Sequence, residues 1–572
     1  MSKIFSKSIS DKYSRYFASI DEVCRQFAIF SLKTGELDKK QTAKFYSWDK
    51  GKGGIPISWD TNNQTVSVDH TDSHTLVVGP TGSKKSRLVV MPTVRILGSM
   101  GESMIISDPK AEIYNRTAAY LKNKGYNIYV LNLRSPLNGN RWNPLAIPYE
   151  FYIEGKIDKA CEFVNDIAEN LIQKDQSETE PFWDKSAGTF FFGLVLLLFK
   201  YCKENNLGKE YVHMSNVNNL RYVLLGQNKV NKELWEYAKE DSIIRSSLVG
   251  TIETANDTKA GILSVFDQKT RMFSIQPNLM DMLGANDFDF NTISRQPTAV
   301  FLIIPDEKTG YHDLAALFIK QSYEYMIYNA QQDAEGDGTH TAELQNRVNY
   351  ILDEFSSLPT IKDFPPMITA ARSRNIRFLL IIQSKHQLIS RYGDEADTIQ
   401  TNCNNWIYLT SRELKLLEEL STLTGKTLDD VPSPVLSVSD LQRLDKNEGE
   451  ALLLCGRHKP CITILADIEE YDENKFEHLS ITTRTLAPVP STDFVLSEKI
   501  KSRIRDLNNP FGRPFDDKTD TWRPVKDYKR LEDKVDVDEL ISAIDKKIAE
   551  LEKEETMERN KNDEKKGQKN EE

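Results

Sequence analysis

The spacing of apolar and polar positions divides most of the chain into three stretches. In the first, short apolar runs alternate with runs of helical period. Thr75–Val78 (TLVV) reads as a buried strand, followed by a tight turn, Gly79-Pro80-Thr81-Gly82-Ser83. Lys85 and Ser86 then open a helical run, RLVVMPTVRIL. Residues 104–107 predict a second strand, 112–122 a helix and 127–133 a third strand. Strands alternating with helices of this length predict parallel α/β units. In the second stretch, residues 151–294, strand-like alternation is sparse. Helices are predicted over 156–173, 182–202, 217–225 and Lys232–Lys239, which together read as an all-helical insertion. The third stretch resumes the α/β pattern. It predicts a strand over 297–306, a helix over 313–329, a mobile polar loop over 331–343 and a strand at Val348–Leu352. A helix ending at 370–374, strands at 378–382, 406–410 and 451–455, and a terminal hairpin closed by 461–466 complete it.

The flanks read differently. Residues 51–70 suggest short strands and turns. Residues 17–32 predict an amphipathic helix that either docks on a membrane or partner or packs against the next domain. After Pro488 the composition shifts. Residues 510–524 read as an irregular arm, and Leu540, Ile541, Ile544, Ile548 and Leu551 line one helix face. A mixed-charge run without apolar residues after Met557 predicts a disordered tail. That tail and its helix either dock a partner or are simply solvated. The expected division is 1–70, a core of 71–150 with 295–487, an insertion of 151–294, an arm of 488–531 and a tail of 532–572.

Composition changes this picture little: 39% hydrophobic and 28% charged residues supply an ample core. The net charge of −11 argues against a uniformly basic, DNA-coating surface but leaves room for a local basic channel. Six cysteines show no CxxC pair and no metal-ligand spacing, which predicts a reducing compartment, with Cys455 and Cys461 as core residues rather than a disulfide. The N-terminus has no apolar signal core, and the apolar run 190–199 is shorter than the roughly 20 residues that span a bilayer. The expectation is a cytoplasmic protein, peripheral to the membrane at most. Trp183, Phe190, Phe191 and Phe192 read as core at helical spacing, with a base-stacking platform as the alternative.

The candidate chemistry gathers at strand tips. A strand, a Gly-rich turn and a helix start make a phosphate-binding loop over Gly79, Pro80, Thr81, Gly82, Ser83, Lys84, Lys85 and Ser86. In such a loop backbone N–H groups face phosphate, Lys85 reaches the terminal phosphates and the Ser86 hydroxyl holds Mg²⁺. Lys84 stands where the pattern wants Gly, so the segment alone leaves open a Gly-rich hairpin that binds nothing. Asp353 and Glu354 end the strand at Val348–Leu352. An Asp there suits the Mg²⁺ shell, partly through water, and the next Glu can activate water. Gln383 ends the neighbouring apolar run, where it can touch the γ-phosphate or the attacking water. Asp108 and Lys110 follow the strand at 104–107 and face the ligand crevice of a parallel sheet, or else act as a helix cap with a surface salt bridge.

Taken in order, GPTGSKKS, SDPKAEIY, GYNIYVLNL, RWNPL (141–145), FWDKSA (182–187), FLIIPD, YILDEF, AARSRNIRFLLIIQSKHQL, RYG and TNC resemble the coupling proteins of type IV secretion systems, the TraG-like conjugative DNA-transfer ATPases. The resemblance runs from about 74 to 470. It implies an α/β fold, a RecA-like P-loop NTPase motor domain with an inserted all-α domain, assembled as a homo-hexamer around a DNA channel. It implies ATP and Mg²⁺ as cofactors, and single-stranded DNA, a relaxase or relaxosome accessory protein and secretion-channel components as partners. By position, Arg372 matches the family's arginine finger, which acts on a neighbouring subunit, and Gln383 its γ-phosphate sensor. Three departures stand out. Lys84 replaces a Gly that often needs positive φ, at a cost of about 1–2 kcal/mol, or about tenfold in nucleotide affinity. Ala111 replaces a Gly. The family's N-terminal membrane helices are missing, so membrane recruitment would run through a partner. Two other readings are a non-hydrolysing substrate adaptor and a soluble DNA-pumping ATPase unconnected to secretion.

Overall fold

The computed structural model describes residues 27–37, 52–173, 181–226, 229–305, 309–337, 342–427, 432–456, 458–471, 478–507, 515–516 and 521–522. Strands β1 (Ala28–Ser31), β2 (Glu36–Leu37), β3 (Ile55–Asp60) and β4 (Thr65–Asp69) precede β5 (Thr75–Val78), the strand that feeds the glycine-rich turn. Next come β6 (Ser103–Ser107) and β7 (Asn127–Asn132). A minimal ribbon, β8 (Leu225–Gly226) with β9 (Lys229–Val230), interrupts the helical region. The remaining strands are β10 (Thr298–Ile303), β11 (Val348–Leu352), β12 (Ile376–Ile382), β13 (Asn405–Tyr408), β14 (Glu450–Cys455) and β15 (Cys461–Ile464).

Nine of these form one sheet in the order β15-β14-β13-β5-β12-β11-β6-β10-β7. The seven from β13 to β7 run parallel, and β14 and β15 add an antiparallel edge hairpin, as the pattern predicts. Every residue of β5, β6, β10, β11 and β12 is buried. Strands covered on both faces read as unbroken apolar runs, which is why the sequence pattern finds them. The order itself is invisible in the sequence: β12 lies between β5 and β11, although 270 residues separate β5 from β11. In consequence the tips of β5, β12 and β11 stand side by side.

The expected helix over 17–32 is corrected where it is described. Ala28–Ser31 is a strand of a small antiparallel sheet, β2-β1-β4-β3. Alternate burial of Ala28 and Phe30 against Val66 and Val68 gives these residues a period of two. Residues 17–26 lie outside the described residues, as do Asp306, 338–341 and the tail at 532–572. The predicted loop at 331–343 is also shorter than expected, because helix His312–Asp337 runs on through QQDAEGD despite Gly336 and two aspartates.

The insertion is helical, with Ile157–Leu171, Pro181–Glu204, Met214–Leu224, Lys232–Lys239, Ser242–Ile252 and Asn256–Thr270. Phe190 and Phe191 are fully buried against Phe266, and Trp183 packs on Gly261, where a Cβ would sit 2.5 Å from the indole. They are core rather than a stacking platform. By length and composition helix Pro181–Glu204 is able to cross a membrane, and 61% of its most apolar window is buried inside the protein. The insertion is fastened to the sheet layer by Lys320, whose ammonium reaches Asp166 at 2.7 Å and Asp363 at 3.0 Å. No disulfide joins the described cysteines, and Cys455 and Cys461 are both buried. Residues 496–572 form a separate unit, in which helix Glu498–Leu507 and a two-rung ribbon, Phe515–Asp516 with Thr521–Trp522, are described.

The end of the sheet opposite the strand tips is closed by buried charge. Glu102 takes the Gly53 N–H at 2.7 Å and the Asn349 amide at 2.9 Å, and lies 3.7 Å from Arg347 and 3.6 Å from Arg377. All three charged groups are at most 4% exposed. Without Glu102, Arg377 would lose its ion-pair carboxylate in a dry site, while Arg347 would keep Asp72. Glu102→Ala is expected to destabilise the protein by roughly 3–5 kcal/mol, read as a lowered thermal midpoint.

Candidate nucleotide site

The glycine-rich turn is shaped by two left-handed residues. Gly82 has φ +81° and Lys84 has φ +65°. The second is the position where a glycine is expected, so the strain anticipated from sequence is present in the backbone. Gly79 is crowded for a different reason: a Cβ there would lie 2.4 Å from Ser83 Oγ, so the Ser83 side chain would have to move. The Ser83 N–H closes the turn on Pro80 O at 3.1 Å, and the Gly79 N–H continues the ladder to Ile382 O of β12. Beyond the turn, Ser86–Val90 forms a π-type turn leading into helix Met91–Met100. Arg87 anchors that start by a bidentate pair with Asp467 (2.8–3.1 Å).

Lys85 is buried, and its ammonium donates to Gly79 O at 2.6 Å and Pro80 O at 3.2 Å. Burial lowers its pKa, opposed by the Glu354 and Asp353 carboxylates. From outside the loop, Lys446 donates to Gly82 O at 3.2 Å. Sequence reasoning missed this contact, because Lys446 lies 364 positions from Gly82 in an unremarkable turn before β14.

At the tip of β11, Asp353 accepts the Ser86 hydroxyl at 3.3 Å and the Glu354 N–H at 3.1 Å. Its own carbonyl accepts Ser107 Oγ at 2.7 Å, which fixes the strand end to β6. Burial and the adjacent Glu354 push the Asp353 carboxyl up to about 6, against the pull of Lys85. Glu354 is left-handed, φ +54°, and receives the Gln383 amide at 2.6 Å. Lys85, Ser86, Asp353, Glu354 and Gln383 thus form one connected group from three adjacent strand tips. Thr81, Lys110, His312, Asp353, Glu354 and Gln383 line a cavity of about 250 Å³. His312, whose ring nitrogens face Pro305 O and Ser357 O, carried no motif to announce it.

The pair Asp108 and Lys110 is split. Lys110 lines the cavity. Asp108 is buried and accepts the Tyr114 N–H at 2.7 Å, capping helix Glu112–Asn123, whose entry residue Ala111 is left-handed at φ +58°. Arg372 is apart from all of these. It is exposed in the short turn Arg372–Arg374 before β12, whereas Gln383 follows β12. Seven strand residues, about 20 Å, separate them.

The oxygen donors fit a small hard cation. The Ser86 hydroxyl and Asp353 carboxylate lie 3.3 Å apart, and no group of three or more His, Cys, Asp or Glu able to hold a metal occurs among the described residues. One hydroxyl and one carboxylate, with water and phosphate completing the shell, suits Mg²⁺ and not zinc.

Burial pushes the Asp108 carboxyl from 3.8 up to about 7, against the Tyr114 and Ile113 amides. Folding therefore disfavours its charged form. The cost is absent below pH 4, grows from pH 4 to 7 and is complete above pH 7. Asp108→Asn, which keeps an acceptor for the Tyr114 N–H, is expected to stabilise the protein by roughly 1–3 kcal/mol at pH 8 and not at pH 4. Thermal denaturation across pH checks this.

The family model for type IV secretory system conjugative DNA transfer matches residues 2–433. Conjugal transfer protein TraG of Escherichia coli is 24% identical over 371 residues, 62% of this chain and 55% of that protein. Protein VirD4 of Agrobacterium fabrum is 22% identical over 377 residues, 64% of this chain and 51% of that protein. The chain spans about half the length of these curated relatives. Among solved structures, the bacterial conjugative coupling protein TrwBdeltaN70 in its unbound monoclinic form matches with TM-score 0.52 at 15% identity, over 79% of this chain and 94% of that one. The shared fold is a RecA-like P-loop α/β domain with an all-α domain. With three quarters of its length under the family model, the chain belongs to the type IV secretory system conjugative DNA-transfer family of coupling proteins.

Proposed function

We propose that this protein is an ATP-hydrolysing DNA translocase, a coupling protein that delivers single-stranded DNA or a relaxase–DNA complex to a type IV secretion channel. The observation that carries the reading is the connected group Lys85, Ser86, Asp353, Glu354 and Gln383, of which Asp353, Glu354 and Gln383 line one cavity. A protein that only bound nucleotide would have no use for a carboxylate and an amide aligned beside the Mg²⁺ donors. On this reading residues 71–150 and 295–487 are the motor and 151–294 the insertion. The chains assemble as a ring of six.

In the hydrolytic step Lys85 leaves Gly79 O and Pro80 O and pairs with the terminal phosphates, while the loop N–H groups hold the phosphate oxygens. Ser86 and Asp353 would hold Mg²⁺, which would supply charge neutralisation on the phosphate chain. The Gln383 amide orients the Glu354 carboxylate, and Glu354 takes the proton of the attacking water. Arg372 cannot serve its own site across the length of β12, so it acts on the site of a neighbouring copy, which ties turnover to assembly. One observation favours a second reading, a non-hydrolysing adaptor: Lys84 strains the loop that must receive phosphate.

Purified protein is expected to hydrolyse ATP, faster with single-stranded DNA. Glu354→Gln should lower the rate by roughly 10²–10⁴ while leaving ATP binding intact. Absence of turnover under every DNA condition selects the adaptor. Arg372→Ala should cut hydrolysis by about 10³ without changing nucleotide affinity of the dilute chain, and the parent's specific activity should rise with protein concentration. Activity independent of concentration would remove the trans role. Lys84→Gly relieves about 1–2 kcal/mol of left-handed strain, so ATP affinity should be unchanged or up to about tenfold tighter. A large loss in equilibrium binding would make Lys84 a nucleotide contact.

A further inference from the structure

The segment that follows Gln383 is held by a carboxylate from a different element. Glu413 begins helix Leu414–Leu423, yet its side chain makes no capping bond to that helix. It is spent on a neighbour. Its Oε2 accepts the Ser384 hydroxyl at 2.9 Å and the Lys385 N–H at 3.1 Å, and its Oε1 accepts the His386 N–H at 3.1 Å. These are the first free N–H groups of helix Lys385–Tyr392, whose N-cap residue, Ser384, also accepts the His386 N–H through its own Oγ. Three bonds to one carboxylate at a helix N-terminus are charge-assisted and directional. The same pair of helices is stapled again by Lys385 and Glu419 at 2.7 Å.

Glu413 is itself fixed. Its N–H donates to the buried Ser411 Oγ at 3.0 Å, and the Leu409 N–H extends the β13–β5 ladder to Val78 O, one residue before Gly79. The residues between β13 and Glu413 therefore leave the sheet beside the phosphate loop. A continuous path of hydrogen bonds runs from Glu413 to Ser384–His386. Gln383 is the next residue, and its amide reaches Glu354 at 2.6 Å. A Gln side chain alone has three rotatable bonds, and its aim depends on where its backbone is held. The Ser384 to His386 backbone is held by Glu413.

We propose that Glu413 is a positioning residue for hydrolysis: it clamps the turn that carries Gln383 and so keeps the Gln383 amide on the Glu354 carboxylate. Glu413 is not among the residues that line the cavity with Asp353, Glu354 and Gln383. The inference rests on the hydrolytic reading of the same site. It extends that site to the segment after β13, which none of the phosphate-loop or acidic-strand motifs includes.

The test uses the full chain with ATP and single-stranded DNA, comparing Glu413→Ala, Glu413→Gln, Gln383→Ala and the double variant Glu413→Ala with Gln383→Ala. Glu413→Ala is expected to lower kcat by about tenfold with KM for ATP within about twofold, as for an interaction felt in the transition state and not in ground-state binding. Glu413→Gln keeps one acceptor oxygen and should be intermediate. The double variant should be no slower than Gln383→Ala, because one path is cut twice. Multiplying effects, or a rise in KM with unchanged kcat, would overturn the proposal. If Glu413→Ala does not fold, Glu413→Gln in the same cycle decides. If the parent itself does not turn over, the hydrolytic reading fails separately. The clamp is then read by amide hydrogen exchange with a non-hydrolysable ATP analogue. Analogue-induced protection of residues 383–386 should be lost in Glu413→Ala and kept in part in Glu413→Gln. Equal protection in parent and both variants would overturn it.

Discussion

The hydrogen bonding of β12 to β5 on one side and to β11 on the other is the constraint on which the site depends. It sets Ile382 beside Val78 and Leu380 beside Leu352, so that the next residues of each strand emerge as neighbours. The glycine-rich loop, Gln383 and the pair Asp353-Glu354 are then within hydrogen-bond reach without any long side chain having to search for its partner. A strand slipped by one residue would turn Gln383 to the other face of the sheet and break the Gln383–Glu354 bond. The burial of all seven residues of β12 is what forbids that slip, since a shift would move apolar side chains out of one packed layer and into the other.

Around that row of tips the backbone is unusually left-handed for residues with side chains. Lys84 at φ +65°, Ala111 at φ +58° and Glu354 at φ +54° each depart from where an L-residue prefers to be. Each also begins or ends an element at the cavity: Lys84 the loop helix, Ala111 helix Glu112–Asn123 and Glu354 the turn after β11. Each such residue costs on the order of 1–2 kcal/mol, and the packed sheet below must supply it. Two of the three positions are ones at which a glycine was expected. Their strain follows from the substitution, and the backbone path is kept in spite of it. At Glu354 the left-handed backbone carries a side chain that accepts the Gln383 amide.

The long parallel strands, the helical insertion and the acidic strand end were legible because buried parallel strands are continuous apolar runs with polar residues at one end. Lys232–Lys239 and Val348–Leu352 stand in the structure with the predicted bounds. The loop residues Gly79 to Ser86 were legible because turn chemistry is local. What stayed hidden is what depends on sheet order or on distance in sequence. Nothing in the run before Gln383 says that it adjoins β11, and Lys446, His312 and Glu413 lie in segments without a motif. Ala28–Ser31 was misread because its four residues fit either period, and only pairing with β4 selects the strand. Asp108 and Lys110, two positions apart, were read as a pair, but the turn between them sends one into the core and the other into the cavity.

The two ends of β12 carry different duties, and His74 shows how they are joined. Its Nε2–H donates to Ile368 O at 2.8 Å in the helix that leads to Arg372, and its Nδ1 accepts the Phe378 N–H of β12 at 3.0 Å. Burial lowers its pKa to about 4, with the Ile368 carbonyl pulling the other way. The ring is therefore neutral and keeps one tautomer through the physiological range, so this joint does not loosen with pH. His74 also immediately precedes β5. The helix leading to Arg372, the strand leading to Gln383 and the strand feeding the glycine-rich loop are consequently fastened at one buried imidazole. On the proposed reading Arg372 serves a neighbouring copy while Gln383 serves its own chain. A rigid β12 fastened in this way gives a physical route by which phosphate at one site bears on the arginine presented to the next. The route needs no moving loop, only that β12 and its helix shift as one body.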